Sequence, residues 1–417
     1  MNRNIRLLAV GMAVRMLGNA LYGPFVALFL HNVLDLGYVE LGVVIVVIGT
    51  VQIPFGLAGG LIADRVRRKT LMIVGLTAEV LATAFLAYAF AIKSLLYGVL
   101  AAASGGSIAT LSGPAFSAYV ADHVEGPERT RGFTLLRIGF NAGYAAGVSM
   151  GGLFISLIGF AGGVAIAVVI IAGATVILFL FLEQSPRDQR PLPKISRATD
   201  TPASPAPADP RRSFRESLRI LARDRAALEV AVAFALASFV ASQWAIIYPL
   251  YVHNILGVSY TLLGVGLALN GLVVVFGQSP TTESVIGWRH TTVAVLGLTL
   301  YGIAFVGLGA AGLWDAVPVV VFFVSVVVLT LGENLLAIPS TTLPSNLAPR
   351  EEIGSYNGAF NAFSSIGFLL ATLAGGVVLA LVTNPLLIWI VLILPAIPAV
   401  VLLRHAARRI PDKANRA

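Results

Sequence analysis

The chain has 417 residues, of which 57% are hydrophobic and only 12% charged. A soluble globular protein carries about 25% charged residues, so a chain this apolar could not cover a water-facing surface, and the composition points to lipid as the solvent. The absence of cysteine excludes disulfides, thiolate metal sites and thiol nucleophiles, and the +8 formal charge sits in short segments between apolar runs, which reads as membrane topology rather than as a nucleic-acid surface.

A membrane span needs about 20 mostly apolar residues. In chain order, twelve stretches qualify: 5–30, 39–61, 70–92, 94–118, 132–158, 161–182, 226–252, 259–281, 291–313, 316–340, 356–381 and 385–403. The first reads as a span and not as a cleaved leader, because its apolar run is long and no small-residue cleavage site follows. These runs are too long and too uniformly apolar for barrel strands, so each is expected to be a helix. With the N-terminus in the cytoplasm, 25 of the 28 Lys and Arg residues fall on the cytoplasmic side. That asymmetry predicts cytoplasmic N- and C-termini in a multi-pass protein of the cell membrane.

Between spans 6 and 7 the segment 183–225 divides the chain into an N-terminal half (1–182) and a C-terminal half (226–417). Its middle, Arg197 to Pro210, is rich in Pro, Ala, Ser and Thr and reads as a flexible tether. From Ser213 to Arg225, Ser213 and Glu216 have capping-box spacing. Phe214, Leu218 and Leu221 then fall on one face and Arg212, Arg215, Arg219 and Arg223 on another, which predicts a short helix on the membrane surface or a solvated basic linker.

The two halves repeat at a spacing near 222 residues. His31-Asn32-Val33-Leu34 recurs as His253-Asn254-Ile255-Leu256, Tyr38 as Tyr260, Leu41-Gly42-Val43 as Leu263-Gly264-Val265, and Gly151-Gly152 as Gly375-Gly376. Several matches in order predict two six-helix bundles of the same orientation, an arrangement that places a substrate site between the halves.

The loop after span 2 reads Gly60-Leu61-Ile62-Ala63-Asp64-Arg65-Val66-Arg67-Arg68-Lys69. It resembles the cytoplasmic signature of the major facilitator superfamily, with Arg67 where the family has a second glycine. The resemblance implies twelve transmembrane helices in two parallel-repeat bundles, and a gate motif of Gly60, Asp64, Arg65, Arg68 and Lys69 that latches the outward-open state. Asp122 and Arg131, in the loop after span 4, resemble the same gate in the drug-exporter branch. In span 5, Arg137, Asn141, Gly143, Gly147, Gly151 and Gly152 resemble, in part, the glycine-rich signature of the drug–proton antiporters. Small residues four apart let a second helix pack closely there. The matching loop of the second half, Thr281 to His290, has lost the acidic-basic pattern, so the latch is expected on one side only.

Charges inside spans cost roughly 3 kcal/mol or more unless paired or hydrated, so they mark function. Arg15 and Glu79 lie at one depth and can pair. Glu333 in span 10 has no basic partner in its half of the sequence and, with Glu79, is the candidate for proton coupling. Polar and aromatic side chains recur at helical spacing: Arg15, Asn19 and Tyr22; Arg137 and Asn141; Gln243, Trp244 and Tyr248; and Asn361. These are the cavity candidates, against bland readings as interhelical glue or interface anchors. No phosphate-binding Lys-Ser/Thr loop occurs, so an ion or substrate gradient must drive any work. Five scattered histidines show no metal-ligand spacing, and an enzyme or sensor is not expected. The expectation is a secondary transporter, a monomer without cofactors, acting on small molecules with protons. Either proton-exchange efflux of amphipathic compounds or uptake of a sugar or organic anion would fit.

Overall fold

The computed structural model describes residues 3–124, 126–185, 224–314, 318–349 and 353–416; within these, the side chains of 53, 56–61, 63–65, 126–127, 129–130 and 353–355 are not described. Helices α1 (Arg3–Ala20), α2 (Val26–Asn32), α3 (Tyr38–Arg65), α4 (Arg68–Ala91), α5 (Leu95–His123) and α6 (Gly126–Phe181) form the first half. The second half comprises α7 (Arg225–Ser242), α8 (Ile247–Asn254), α9 (Tyr260–Ser284), α10 (His290–Ala311), α11 (Pro318–Leu347), α12 (Ile353–Leu381), α13 (Pro385–Ile393) and α14 (Ala396–Ala406). The expected surface helix at 213–225 begins outside the described residues.

Among the described residues, ten helical runs are long and apolar enough to cross a membrane. One of them, Arg131–Phe181, has 51 residues, which at ~1.5 Å per residue is more than twice a ~30 Å hydrocarbon core. It folds at Gly159, whose φ of +75° is open to glycine at no steric cost. The apolar start of α3, Tyr38–Gln52, supplies a further crossing. The chain is thus all-helical in the twelve-span sense expected from its sequence. Its outward residues are apolar, with Val169, Phe276 and Leu381 among the most exposed, the inverse of a water-soluble surface.

Three spans read as single helices are broken instead. The first is interrupted after Ala20 by a 3-10 turn over Gly23–Phe25, and the seventh between Ser242 and Ile247. Proline explains both. Its ring excludes the carbonyl four residues earlier from the helix ladder, which is Ala20 for Pro24 and Ala245 for Pro249. The last span breaks the same way at Leu394–Pro395, between α13 and α14.

The chain divides into two compact units. The first holds residues 1–36, 44–201 and 259–271; the second holds 37–43, 202–258 and 272–417. In the first, α1 lies between the two limbs of α6. A Cβ added at Gly143, Gly147 or Gly151 would run into the carbonyls of Ala13, Leu17 and Leu21 in turn, so only glycine permits this approach. The second limb lies antiparallel, with Ile171 against Gly18 and Leu178 against Gly11. Gly152 faces the Tyr260 carbonyl within this unit. Ile5, Leu8, Met72, Phe116, Tyr119 and Leu178 fill its core. In the second unit α7 packs on α12 through Gly367, which sits on the Ala235 carbonyl, and Gly376 faces the Tyr38 carbonyl. Its core is aromatic: Tyr248, Tyr251, Phe305, Phe322 and Trp389 cluster with ring centroids 4.5–6.3 Å apart.

Candidate functional site

Each unit holds a cavity beside its helix break. In the first unit a cavity of about 200 Å³ is bordered by Asn19 and Tyr22 at the end of α1, Glu79 and Thr83 of α4, and small residues of α5 such as Gly105 and Gly106. Arg15 Nε donates to Glu79 Oε2 at 2.7 Å, and both side chains are buried. Asn19 Nδ2 donates to the other carboxylate oxygen at 2.7 Å. The Tyr22 hydroxyl donates in turn to Asn19 Oδ1 at 3.1 Å. The Arg15 guanidinium also lies 5.2 Å from the centre of the Phe116 ring, a favourable cation–π distance. Four sequence candidates, Arg15, Asn19, Tyr22 and Glu79, are therefore one chain of hydrogen bonds. Such charge-assisted bonds are the strong ones, and in a low-dielectric interior they hold one geometry.

In the second unit a cavity of about 350 Å³ opens between α7, α10, α11 and α12. Its wall combines Glu333 with Trp244, Phe234 and Tyr301 and with Ser238, Ser242, Ser340 and Ser364. Glu333 is half-buried. Ser238 donates to the Ser364 carbonyl at 2.8 Å, tying α7 to α12 where both line the cavity. Aromatic faces with a few convergent polar groups are the usual make-up of a small-molecule pocket.

The remaining candidates lie elsewhere. Tyr248, one turn after Trp244 and with its ring centroid 4.6 Å from that indole, is buried in the aromatic core, where its hydroxyl pairs with Ser325 Oγ at 2.6 Å. Gln243 is buried against α12, its Nε2 donating to the Ala371 carbonyl at 3.4 Å. Arg137 and Asn361 are exposed, and Asn141 donates to the Arg137 carbonyl at 2.9 Å within its own helix.

Gate-motif side chains work inside the first unit. The Arg68 side chain is buried with Nε 3.5 Å from Asp122, and Ser185 donates to that carboxylate at 2.8 Å. Lys69 Nζ donates to the Phe179 carbonyl at 2.9 Å and to the Leu182 carbonyl. A cation at the carbonyl end of a helix satisfies orphan acceptors and offsets the negative pole of its dipole. Arg131 is exposed. The side chains of Gly60, Asp64 and Arg65 lie outside the described residues, so the latch itself is not described. No group of three or more His, Cys, Asp or Glu suited to a metal occurs among the described residues.

Sequence reasoning did not single out Tyr301, Phe234, Ser238, Ser242 or Ser340, while Ser364, one turn after Asn361 on span 11, is a serine that helical spacing does mark for a cavity wall. The internal repeat carries a signal for one of them. At the 222-residue spacing Tyr22 falls on Trp244 and Glu79 on Tyr301, so the two cavities are repeated positions lined with different chemistry.

Comparison with known proteins agrees with this architecture. The profile of the Major Facilitator Superfamily matches residues 8–285. An uncharacterized MFS-type transporter of Bacillus subtilis (strain 168), YttB, is 24% identical over 382 residues, covering 90% of this chain and 88% of that protein. A second from the same organism, YqjV, is 27% identical over 357 residues, covering 85% and 81%. Among solved structures, a POT family transporter crystallised with a thioalcohol-conjugated peptide superimposes with a TM-score of 0.76 at 14% identity, over 98% of this chain and 97% of that one. A profile match across two thirds of the sequence, full-length relatives and a shared helical repeat lead to one statement: the chain belongs to the Major Facilitator Superfamily and is a membrane transporter of that kind.

Proposed function

We propose that the chain is a proton-coupled secondary transporter that exports amphipathic small molecules by alternating access, with Glu333 as the group that takes up and releases the proton. The observation that carries this reading is the second-unit cavity, which Glu333 lines together with three aromatic residues and four serines. The aromatic residues suit an apolar body, the serines a polar tip, and a carboxylic acid within a span can exchange a proton or bind a cation. Glu79 fits the coupling role less well. Its two oxygens already accept from Arg15 and Asn19, so it serves as a positioning residue that fixes the mouth of the first-unit cavity. Both termini are taken to lie in the cytoplasm, on the distribution of Lys and Arg.

The test uses purified protein in proteoliposomes carrying a pH-sensitive dye. On imposing a proton gradient and adding a lipophilic cation, the wild type moves protons against drug. Glu333→Gln should lose gradient-driven transport while substrate exchange at equal pH survives. Undiminished driven transport in Glu333→Gln would sink the assignment.

A second reading has one observation in its favour. The exposed Arg137 guanidinium has no carboxylate partner among the described residues, and a cation on a span suits an anionic metabolite. Proton movement in step with an added organic acid, abolished by Arg137→Gln, would favour uptake over export.

A further inference from the structure

We infer that the second unit binds an anionic glycerophospholipid in a cleft between α10 and α14, at a site separate from the Glu333 cavity. Two adjoining hollows make the cleft. The larger, about 840 Å³, is an apolar groove whose walls include Leu298, Ile303 and Val306 of α10 and Ile393, Ile397 and Val401 around the α13–α14 break. Ile303, Ile397 and Val401 are all more than half exposed. The smaller, about 350 Å³, is bounded by Arg289, Thr291 and Thr292 where α10 begins and by Arg404 and Arg408 where α14 ends. Arg404 lines both hollows.

The chemistry changes in the same order along both helices. On α10 it runs from Thr291 and Thr292 through Val295 to Leu298, Ile303 and Val306. On the antiparallel α14 it runs from Arg408 through Arg404 to Val401 and Ile397, and on to Ile390. The Arg404–Ile390 stretch is roughly 20 Å of helix, enough to flank the ~15 Å of hydrocarbon in one leaflet. A molecule with one anionic end and long apolar chains matches this order. A free anion would leave the groove empty, and a neutral apolar compound would leave the arginines unanswered.

The charge balance leaves two cations for the ligand. Arg289 is tied to Asp412 at 2.6 Å. Glu229 is engaged by His405 at 3.0 Å and Arg409 at 2.9 Å. Arg404 and Arg408, one turn apart and exposed, have no carboxylate partner among the described residues. Guanidinium groups give phosphate two parallel hydrogen bonds each. The first backbone amides of α10 do not contribute, because the His290 N–H donates to the Asn415 carbonyl at 2.7 Å and the Thr291 N–H to Asn415 Oδ1 at 3.1 Å. Recognition therefore falls to side chains, with the exposed Thr292 lining the same hollow as the two arginines. All these residues lie on the side where Lys and Arg concentrate, which is where basic groups meet anionic lipid phosphates.

The test needs no transport. Full-length protein in neutral detergent is titrated with dioleoyl phosphatidylglycerol or dioleoyl phosphatidylcholine and followed by native mass spectrometry. Wild type should retain phosphatidylglycerol at least tenfold better. Arg404→Gln/Arg408→Gln should fall to the phosphatidylcholine level, while Lys413→Gln, a charge change elsewhere in the tail, should not. A phosphatidylglycerol carrying a photoreactive acyl chain should label wild-type peptides from α10 and α13–α14, which covers the case of a double variant that does not fold. Equal retention of the two lipids, full retention in the double variant, displacement by millimolar inorganic phosphate, or labelling confined to other helices would each overturn the site.

Discussion

Removing the Glu79 carboxylate would leave the Arg15 guanidinium charged inside the first unit, with a ring face and a thioether as its remaining side-chain contacts among the described residues. Breaking one side of a buried pair typically costs 3–5 kcal/mol, whereas replacing both partners can be nearly neutral. Glu79→Gln should therefore lower the thermal midpoint of the purified protein sharply, and Arg15→Gln/Glu79→Gln should recover much of the loss. A cycle of the two single variants and the double variant measures the coupling. This pairing was legible in the sequence, because equal depth in two spans is simple arithmetic on helical rise. Tyr248 was not. Its ring lies against Trp244, 4.6 Å between centroids, as the spacing suggests, but the helix breaks between Ser242 and Ile247 and Tyr248 is fully buried in the core. Proline at 249 was visible, yet its effect on the direction of the next turn depends on packing that a single sequence does not contain.

At the scale of elements, the glycine ladder of α6 was the most readable contact. Spacing of four announced a close-packed face, and the structure identifies its partner as α1. Gly147→Leu would drive a side chain into the Leu17 carbonyl and the Ala20 methyl. Overpacking of this kind costs typically 1–3 kcal/mol or more, so the variant should show a lower melting midpoint and poorer recovery of monodisperse protein in detergent. Substitution at the nearby Gly173, whose surroundings are open, should be tolerated. The C-terminal tail was not legible as structure. Its basic residues read as topology signals, yet Asn415 is fully buried. Its amide donates to Thr291 Oγ1 at 3.1 Å while its side-chain oxygen caps α10. Asn346 reaches the Ala414 carbonyl from the end of α11 at 3.2 Å. The tail thus supplies polar partners to the loop that lost its own acidic-basic pattern. Asn415→Ala strands these groups and should cost about 1–3 kcal/mol, read as a drop in thermal midpoint without a change in oligomer size.

At the scale of the molecule, fold class followed from composition, span length and the repeat, since lipid permits so few solutions for a chain of this hydropathy. Substrate identity did not follow, because it resides in a handful of side chains that line cavities and differ between the two copies of the repeat. Orientation is open to a direct check that the cysteine-free sequence makes simple. A single cysteine introduced as Lys93→Cys should react with a membrane-impermeant maleimide on intact cells, and one introduced as Arg67→Cys only after permeabilisation; the reverse pattern would invert the topology. The Arg15–Glu79 pair has one more consequence, in terms of voltage. Carrying one elementary charge through 100 mV involves about 2.3 kcal/mol, but a guanidinium and a carboxylate held 2.7 Å apart move as a neutral dipole. However the first unit tilts during a cycle, the membrane potential does almost no net work on this pair. Any dependence of transport on potential must come from other charges, and its steepness should survive in the Arg15→Gln/Glu79→Gln protein.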